Sequence, residues 1–291
     1  MLRIKIIEKL IAATYWRFPS FYEYTANKKY GKIKELAVNV RGVKVLFSTE
    51  DSYSRIWLYK RCNDGKIHEE KVVNMLVEKL SVSKCFVDVG THLGYYTCIA
   101  SKFMPNGIIY GFEMDELNYL LAKKNLKLNE CKNVHIYHAA VANSSGVVRY
   151  LRKTRRPSPI FSISTSVLRE KNGHLITVKS ITLDDFFKYK ETMPDVIKID
   201  VEGAEMKVME GMKHLIKHVN LKLFVEVHPM KLLDHQSSAN AVVSLLLDAG
   251  YTVFEIENFR KSGEEICLKR LNRSSHLQND VMLYAQRKHR S

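Results

Sequence analysis

The chain has 291 residues, 46% of them apolar, which suits one large globular domain or a domain with an extension. With 46 Lys and Arg against 31 Asp and Glu, the formal charge is +15; this favours anionic partners or surfaces, and a lysine-rich composition with no functional meaning produces it equally well. Five scattered cysteines without a C-x-x-C pair argue against a zinc site or a disulfide framework, and no RRM or C₂H₂ finger signature accompanies the charge. The default compartment for such cysteine usage is a reducing cytoplasm, and no apolar run is long enough to cross a bilayer.

Residues Met1–Trp16 place Leu2, Ile4, Ile6, Ile7, Leu10 and Ile11 among Arg3, Lys5, Glu8 and Lys9. The charges break the apolar core that a secretory signal needs, so an amphipathic helix is expected, docked on the domain or lying peripherally on an anionic membrane. Residues 35–60 alternate apolar and polar around Arg41-Gly42, the pattern of a β-hairpin. Together these predict an N-terminal extension over 1–68 that covers one edge of the main sheet. Val72, Val73, Leu76, Val77 and Leu80 then predict a helix over 68–80.

The next stretch carries the most information. Cys85 to Val89 is apolar except for Asp88, as expected of a strand covered on both faces. Gly90 and Gly94 allow a tight turn and close approach of backbone to a ligand. A second strand over 107–112 ends in Glu113, about 20 residues on, where an acid in a Rossmann-like site takes ribose hydroxyls. His92 stands where the dinucleotide pattern G-x-G-x-x-G has its second glycine, and the P-loop pattern is missing. A ligand with ribose and no phosphate fits this better than NAD, and S-adenosylmethionine is such a ligand.

A helix over 115–129 and a strand over 134–138 follow, then a small-residue loop, Ala139-Ala140-Val141-Ala142, with room for a flat ring. Residues 144–181 break the βα alternation: strands over 147–151 and 175–178 flank Arg152-Lys153-Thr154-Arg155-Arg156 and a Ser-rich run, Ser162–Ser166. A loop of this length suits substrate recognition. Thr182 with Asp185 resembles a capping box. A buried strand over 195–199 then leads into Asp200-Val201-Glu202-Gly203-Ala204-Glu205 and a helix to about Val219. Strand 221–229 ends in Glu226-Val227-His228, a helix spans 238–249, and strands over 252–256 and 280–285 precede a basic tail, 287–291.

In this order, Asp-x-Gly-x-x-x-Gly, the acid after strand two, Ile-Lys-Ile-Asp-Val-Glu-Gly-Ala-Glu and Glu-Val-His resemble the FkbM-type S-adenosylmethionine-dependent methyltransferases over about 69–260. The resemblance implies a class I methyltransferase fold, a seven-stranded, mostly parallel Rossmann-like sheet with an antiparallel last strand, spanning 69–286 with a β insertion at 144–181. It also implies O-methylation of a hydroxyl on a sugar, glycan or secondary metabolite. That family often has Ala-Asn where this chain has Thr91-His92. Asp88, Gly90, Gly94, Glu113, Ala140 and Asn143 are the cofactor-binding candidates. Asp200 is the leading candidate for orienting or deprotonating the acceptor, with Glu202, Glu226 and His228 next. These four could also gather a divalent metal, although no metal is assigned. RNA ribose methylation drawn by the charge, a non-catalytic cofactor-binding module and a dehydrogenase are the alternatives.

Overall fold

A computed structural model of the chain describes residues 19–152, 174–263 and 265–287. The amphipathic helix expected at 1–16, the basic loop after Arg152, the Ser-rich run 162–166 and tail residues 288–291 lie outside the described residues. Two compact units divide between Lys66 and Ile67.

The first unit holds helices Pro19–Tyr30 and Ser52–Cys62 and a hairpin of β1 (Glu35–Val40) and β2 (Val43–Ser48). Arg41 and Gly42 both have positive φ (47° and 85°), the twist a two-residue hairpin turn needs. This hairpin is a two-stranded sheet of its own.

The second unit alternates strands and helices. Helix Glu70–Leu80 leads to β3 (Cys85–Val89), helix Tyr95–Phe103, β4 (Ile108–Glu113), helix Glu116–Leu128 and β5 (Val134–His138). After β6 (Ala140–Val141), β7 (Gly146–Arg152), β8 (His174–Ile181) and helix Leu183–Phe187 come β9 (Val196–Ile199), helices Glu205–Glu210 and Lys213–His218, and β10 (Lys222–Val227). Helices Pro229–Leu232 and Ala239–Asp248, β11 (Tyr251–Ile256), β12 (Leu268–Arg270) and β13 (Val281–Arg287) complete it. The main sheet has the order β12-β11-β13-β10-β9-β3-β4-β5. Strands β3, β4, β5, β9 and β10 run parallel, and β13 is antiparallel to both β10 and β11. The seven expected strands are present, and β12 adds an unexpected short edge strand, paired antiparallel to β11.

From β3 the chain builds outward through β4 to β5, then returns to lay β9 on the other side of β3. That reversal makes the carboxyl ends of β3 and β9 a topological switch point, where open α/β sheets bind ligands. Buried Val87, Val89, Ile197, Ile199, Leu223 and Val225 form the sheet's core at this point.

Four local expectations change. The small-residue loop is partly strand: β6 pairs with β8, which pairs with β7, in a separate three-stranded sheet. The helix expected to reach Val219 breaks at Gly211-Met212, where the Gly211 carbonyl accepts from Asp184 N–H and the Asp184 carboxylate takes His214 and Leu215 N–H at the start of the next helix. Thr182 caps its helix by accepting from Asp185 N–H at 2.9 Å, but the Asp185 carboxylate takes the Ser145 hydroxyl instead of closing the box. Arg287 belongs to β13 rather than to the tail.

Candidate active site

The turn after β3 is built from left-handed backbone. Gly90, His92 and Gly94 have φ of 86°, 55° and 86°. A Cβ on Gly90 would lie 1.9 Å from the Asp200 carbonyl, so the turn after β3 packs directly on the turn after β9. The Asp200 N–H donates to the Val89 carbonyl at 2.9 Å, which ties the two turns together. The turn after β9 is also left-handed, with φ of 55° at Glu202 and 107° at Gly203. Non-glycine residues hold this conformation at a cost of about 1–2 kcal/mol each, and such strain gathers at functional sites.

On the β4 side, Glu113 is buried and clasped by backbone. Its two carboxylate oxygens accept from His92 N–H at 2.7 Å and Asp115 N–H at 2.8 Å. Burial pushes its pKa up to about 7 against the pull of those two N–H groups. Asp115 in turn caps helix Glu116–Leu128 through Leu117 and Asn118 N–H. Its other oxygen takes the Tyr150 hydroxyl at 2.9 Å and the Arg152 guanidinium, so the end of β7 is anchored beside Glu113. Ala140 is buried in β6 against Tyr150 and Val178. Asn143 is exposed and donates to Glu210 at 3.0 Å.

Between the two turns lies a charged cluster at the sheet's carboxyl edge. Asp88 on β3 and Lys198 on β9 are register partners, and Lys198 is only 1% exposed. Lys198 Nζ donates to Asp200 Oδ2 at 3.2 Å and sits 4.4 Å from the centre of the Tyr96 ring. Burial opposes its charge, but Asp200 and Asp88 outweigh that and hold the ammonium firmly protonated. Burial would likewise raise Asp200; Lys198 and His228 overcome it and hold the carboxyl at about 2. Asp88 accepts from Thr97 Oγ1 at 2.5 Å through Oδ2, and burial pushes its pKa up.

His228 follows β10 and is buried. Its Nδ1–H donates to Glu205 Oε1 at 2.7 Å, and the same oxygen accepts from Gly203 N–H at 2.9 Å. Its Nε2 faces Glu202 at 3.4 Å and Glu226 at 3.6 Å. Burial would lower His228, but Glu205 and Asp200 win and lift it to about 9. Burial, with Asp200 and Glu69 nearby, pushes Glu226 well above the usual carboxylate range. Arg260, in the segment after β11, donates to Glu226 at 2.5 Å, and Lys231 pairs with Glu202 at the rim. One ligand atom each from Asp200, Glu226 and His228 lies within 4.8 Å of the others.

All four acceptor-side candidates therefore meet at one place. Sequence reasoning missed Lys198, Glu69, Tyr96 and Arg260. Lys198 carried a readable signal, since it is the one charge inside the otherwise apolar Val196-Ile197-Lys198-Ile199. Glu69 carried none: it stands just before helix Glu70–Leu80 with left-handed backbone (φ 51°) and accepts the Tyr96 hydroxyl at 2.5 Å.

A mostly parallel sheet with this strand order, one antiparallel strand beside β10, and an acid-glycine turn at the switch point define the Rossmann-like fold of class I methyltransferases. A profile described as the methyltransferase FkbM domain matches residues 88–253, and the chain belongs to that methyltransferase family. It is 25% identical over 239 residues to the hexuronic acid methyltransferase AglP of Haloferax volcanii, covering 79% of this chain and 93% of that protein. Among solved structures it is similar to the methyltransferase FkbM of Methylobacillus flagellatus KT, with 16% identity and a TM-score of 0.43, over 70% of this chain and 43% of that one. It is also similar to the precorrin-6y C5,15-methyltransferase of Geobacter metallireducens GS-15, with 14% identity and a TM-score of 0.42, over 75% of this chain and 89% of that one. Among the described residues, no helix is long and apolar enough to cross a membrane.

Proposed function

We propose that this chain is an S-adenosylmethionine-dependent O-methyltransferase acting on a hydroxyl of a sugar or glycan. The convergence of Asp200, Glu226 and His228 beside the Gly90–Gly94 turn carries the reading. The sugar acceptor is supported by the family match and by the printed activity of the Haloferax relative.

The residues fit the cofactor. Glu113 offers a buried carboxylate already oriented by two N–H groups, a match for two neighbouring hydroxyls. Asp88 Oδ1 is buried with no hydrogen-bond partner and suits a cationic or N–H group near the turn. S-adenosylmethionine, when bound, supplies a methyl carbon made electrophilic by its sulfonium. Gly90 and Gly94 shape the turn that receives it, Glu113 holds its ribose, and Ala140 leaves space at the adenine side. Asn143 is a lesser candidate there, because Glu210 already engages its side chain.

On the acceptor side, a carboxylate held near 2 accepts a hydrogen bond well and is a weak base. Asp200 therefore orients the acceptor hydroxyl, and Lys198 keeps it ionised for that task. Glu202, more exposed than Glu205 and Glu226 and facing His228 Nε2, receives the hydroxyl proton, which then passes to solvent. His228 and Glu226 set the field around both. Aligning donor and acceptor is worth roughly 7–11 kcal/mol of barrier, more than any single proton acceptor supplies.

The test is transfer of labelled methyl from S-adenosylmethionine into uronic-acid-containing oligosaccharides. Wild type should label the acceptor, Asp200→Ala should mainly slow turnover, and Glu113→Ala should mainly weaken donor binding. Equal labelling by all three proteins would defeat the assignment.

A further inference from the structure

We propose that Asp200, Glu226 and His228 form a divalent-cation site at the switch point of the sheet. The site goes beyond the methyltransferase reading and rests on it only for the ion's role, which is to hold two neighbouring oxygens of the acceptor.

The donor set is one imidazole nitrogen and two carboxylates, drawn from the ends of the adjacent strands β9 and β10. Ligands on one octahedral ion with bonds of about 2.1 Å lie about 3 Å apart when adjacent and about 4.2 Å when opposite. The three atoms here lie within 4.8 Å of one another, so a small side-chain rotation closes them on an ion. Three protein ligands leave positions open for water or for acceptor oxygens.

Two further observations point to a missing cation. The first is the orientation of His228. Its Nδ1–H is tied to Glu205, a residue with no exposed surface, and its Nε2 is turned toward the carboxylates. A carboxylate on the far ring nitrogen is the usual support of a metal-ligating histidine. The second is a shortage of positive charge. Among the described residues, the six carboxyl groups of Glu69, Asp88, Asp200, Glu202, Glu205 and Glu226 are met by three permanent cations, Lys198, Lys231 and Arg260, and by the rings of His68 and His228. Among the buried side-chain oxygens, Glu205 Oε2 and Asp88 Oδ1 have no hydrogen-bond partner. Buried polar atoms are seldom left so; Glu205 is the residue whose other oxygen holds His228 Nδ1, and Asp88 feels the charge of Asp200. A mixed nitrogen and oxygen set of this kind suits Mn²⁺ or Mg²⁺ better than a thiolate-seeking metal.

Mn²⁺ is the probe. Full-length protein, freed of metal with EDTA and then dialysed, is titrated with Mn²⁺ and the free ion is followed by electron paramagnetic resonance, with neither donor nor acceptor present. One ion should bind per chain. Asp200→Asn and Glu226→Gln, which preserve side-chain volume, should each weaken binding at least tenfold. Asp234→Asn, an exposed acid with no bond to the three ligands, should leave it within twofold. A Mn²⁺-dependent rise in melting temperature should appear in wild type and vanish in both site variants, whose folding is checked by circular dichroism. No binding by wild type at millimolar Mn²⁺, or undiminished binding in either folded site variant, overturns the site. Because the titration involves no methyl transfer, that failure is distinct from failure of the labelling test.

Discussion

Replacing Lys198 by Met tests whether the charged edge of the sheet is held together by one ammonium. At 3.2 Å, Lys198 and Asp200 attract by about 5 kcal/mol at an effective dielectric of ~20. Much of that is offset by the water both groups gave up on folding, but removing Lys198 alone recovers nothing for the partners left behind. Asp200 would face Glu226, and Asp88 would lose its register partner, inside the sheet. The expected loss is about 3–5 kcal/mol. Both tryptophans, Trp16 and Trp57, precede residue 67, so unfolding should be followed by far-ultraviolet circular dichroism in urea rather than by tryptophan fluorescence. Metal should be chelated throughout. The pair Lys198→Met/Asp200→Asn should lose less than the two single variants added together, by about 2 kcal/mol or more. A loss below ~1 kcal/mol in Lys198→Met, or additivity to within about 0.5 kcal/mol, would refute the argument.

Glu113 gives a pH dependence. Its folded pKa of about 7 lies above the ordinary 4.5, so its contribution to stability is fully present below about 4.5 and lost as pH rises through about 7, by roughly 3 kcal/mol. Hydroxyl donors favour the ionised form, so S-adenosylmethionine should bind about tenfold more tightly at pH 8 than at pH 6 by calorimetry; an equally steep rise in Glu113→Gln would remove this residue as the cause. Gly90→Ala should cost about 3 kcal/mol or more, since its Cβ meets a carbonyl; Gly250→Ala, with similar φ and open space, should cost only about 1 kcal/mol by chemical denaturation. Asp115→Ala removes a helix cap and leaves Tyr150 and Arg152 without their carboxylate, a loss of about 3 kcal/mol. Hydrogen exchange should then quicken in β7 and β8 as well as in 116–128, and a change confined to the helix would disprove the link.

The strands were legible as short apolar runs, and both switch-point turns because the runs of β3 and β9 are closed by an acid and a glycine. Asp88, Glu113, Asp200, Glu226 and His228 were readable for the same reason: a charge that ends a buried strand needs a purpose. Convergence was not readable, since Glu69 and Arg260 arrive from about 130 residues before and 60 residues after Asp200 on connections that no pattern fixes. The break at Gly211 was hidden as well, because it is hydrogen-bonded to Asp184, a neighbour distant in sequence. Edge strand β12 is three exposed residues with no apolar alternation to announce it.

The register pairing of Asp88 with Lys198 has a consequence for how such an enzyme diversifies. These two side chains are welded into neighbouring central strands, so their exchange would cost the protein its scaffold before it altered selectivity. New acceptors would then be accommodated away from the central strands, for instance through the connection after β11 that carries Arg260 to Glu226. Grafting that connection between relatives, with the central strands untouched, is the route this architecture leaves open for redirecting it.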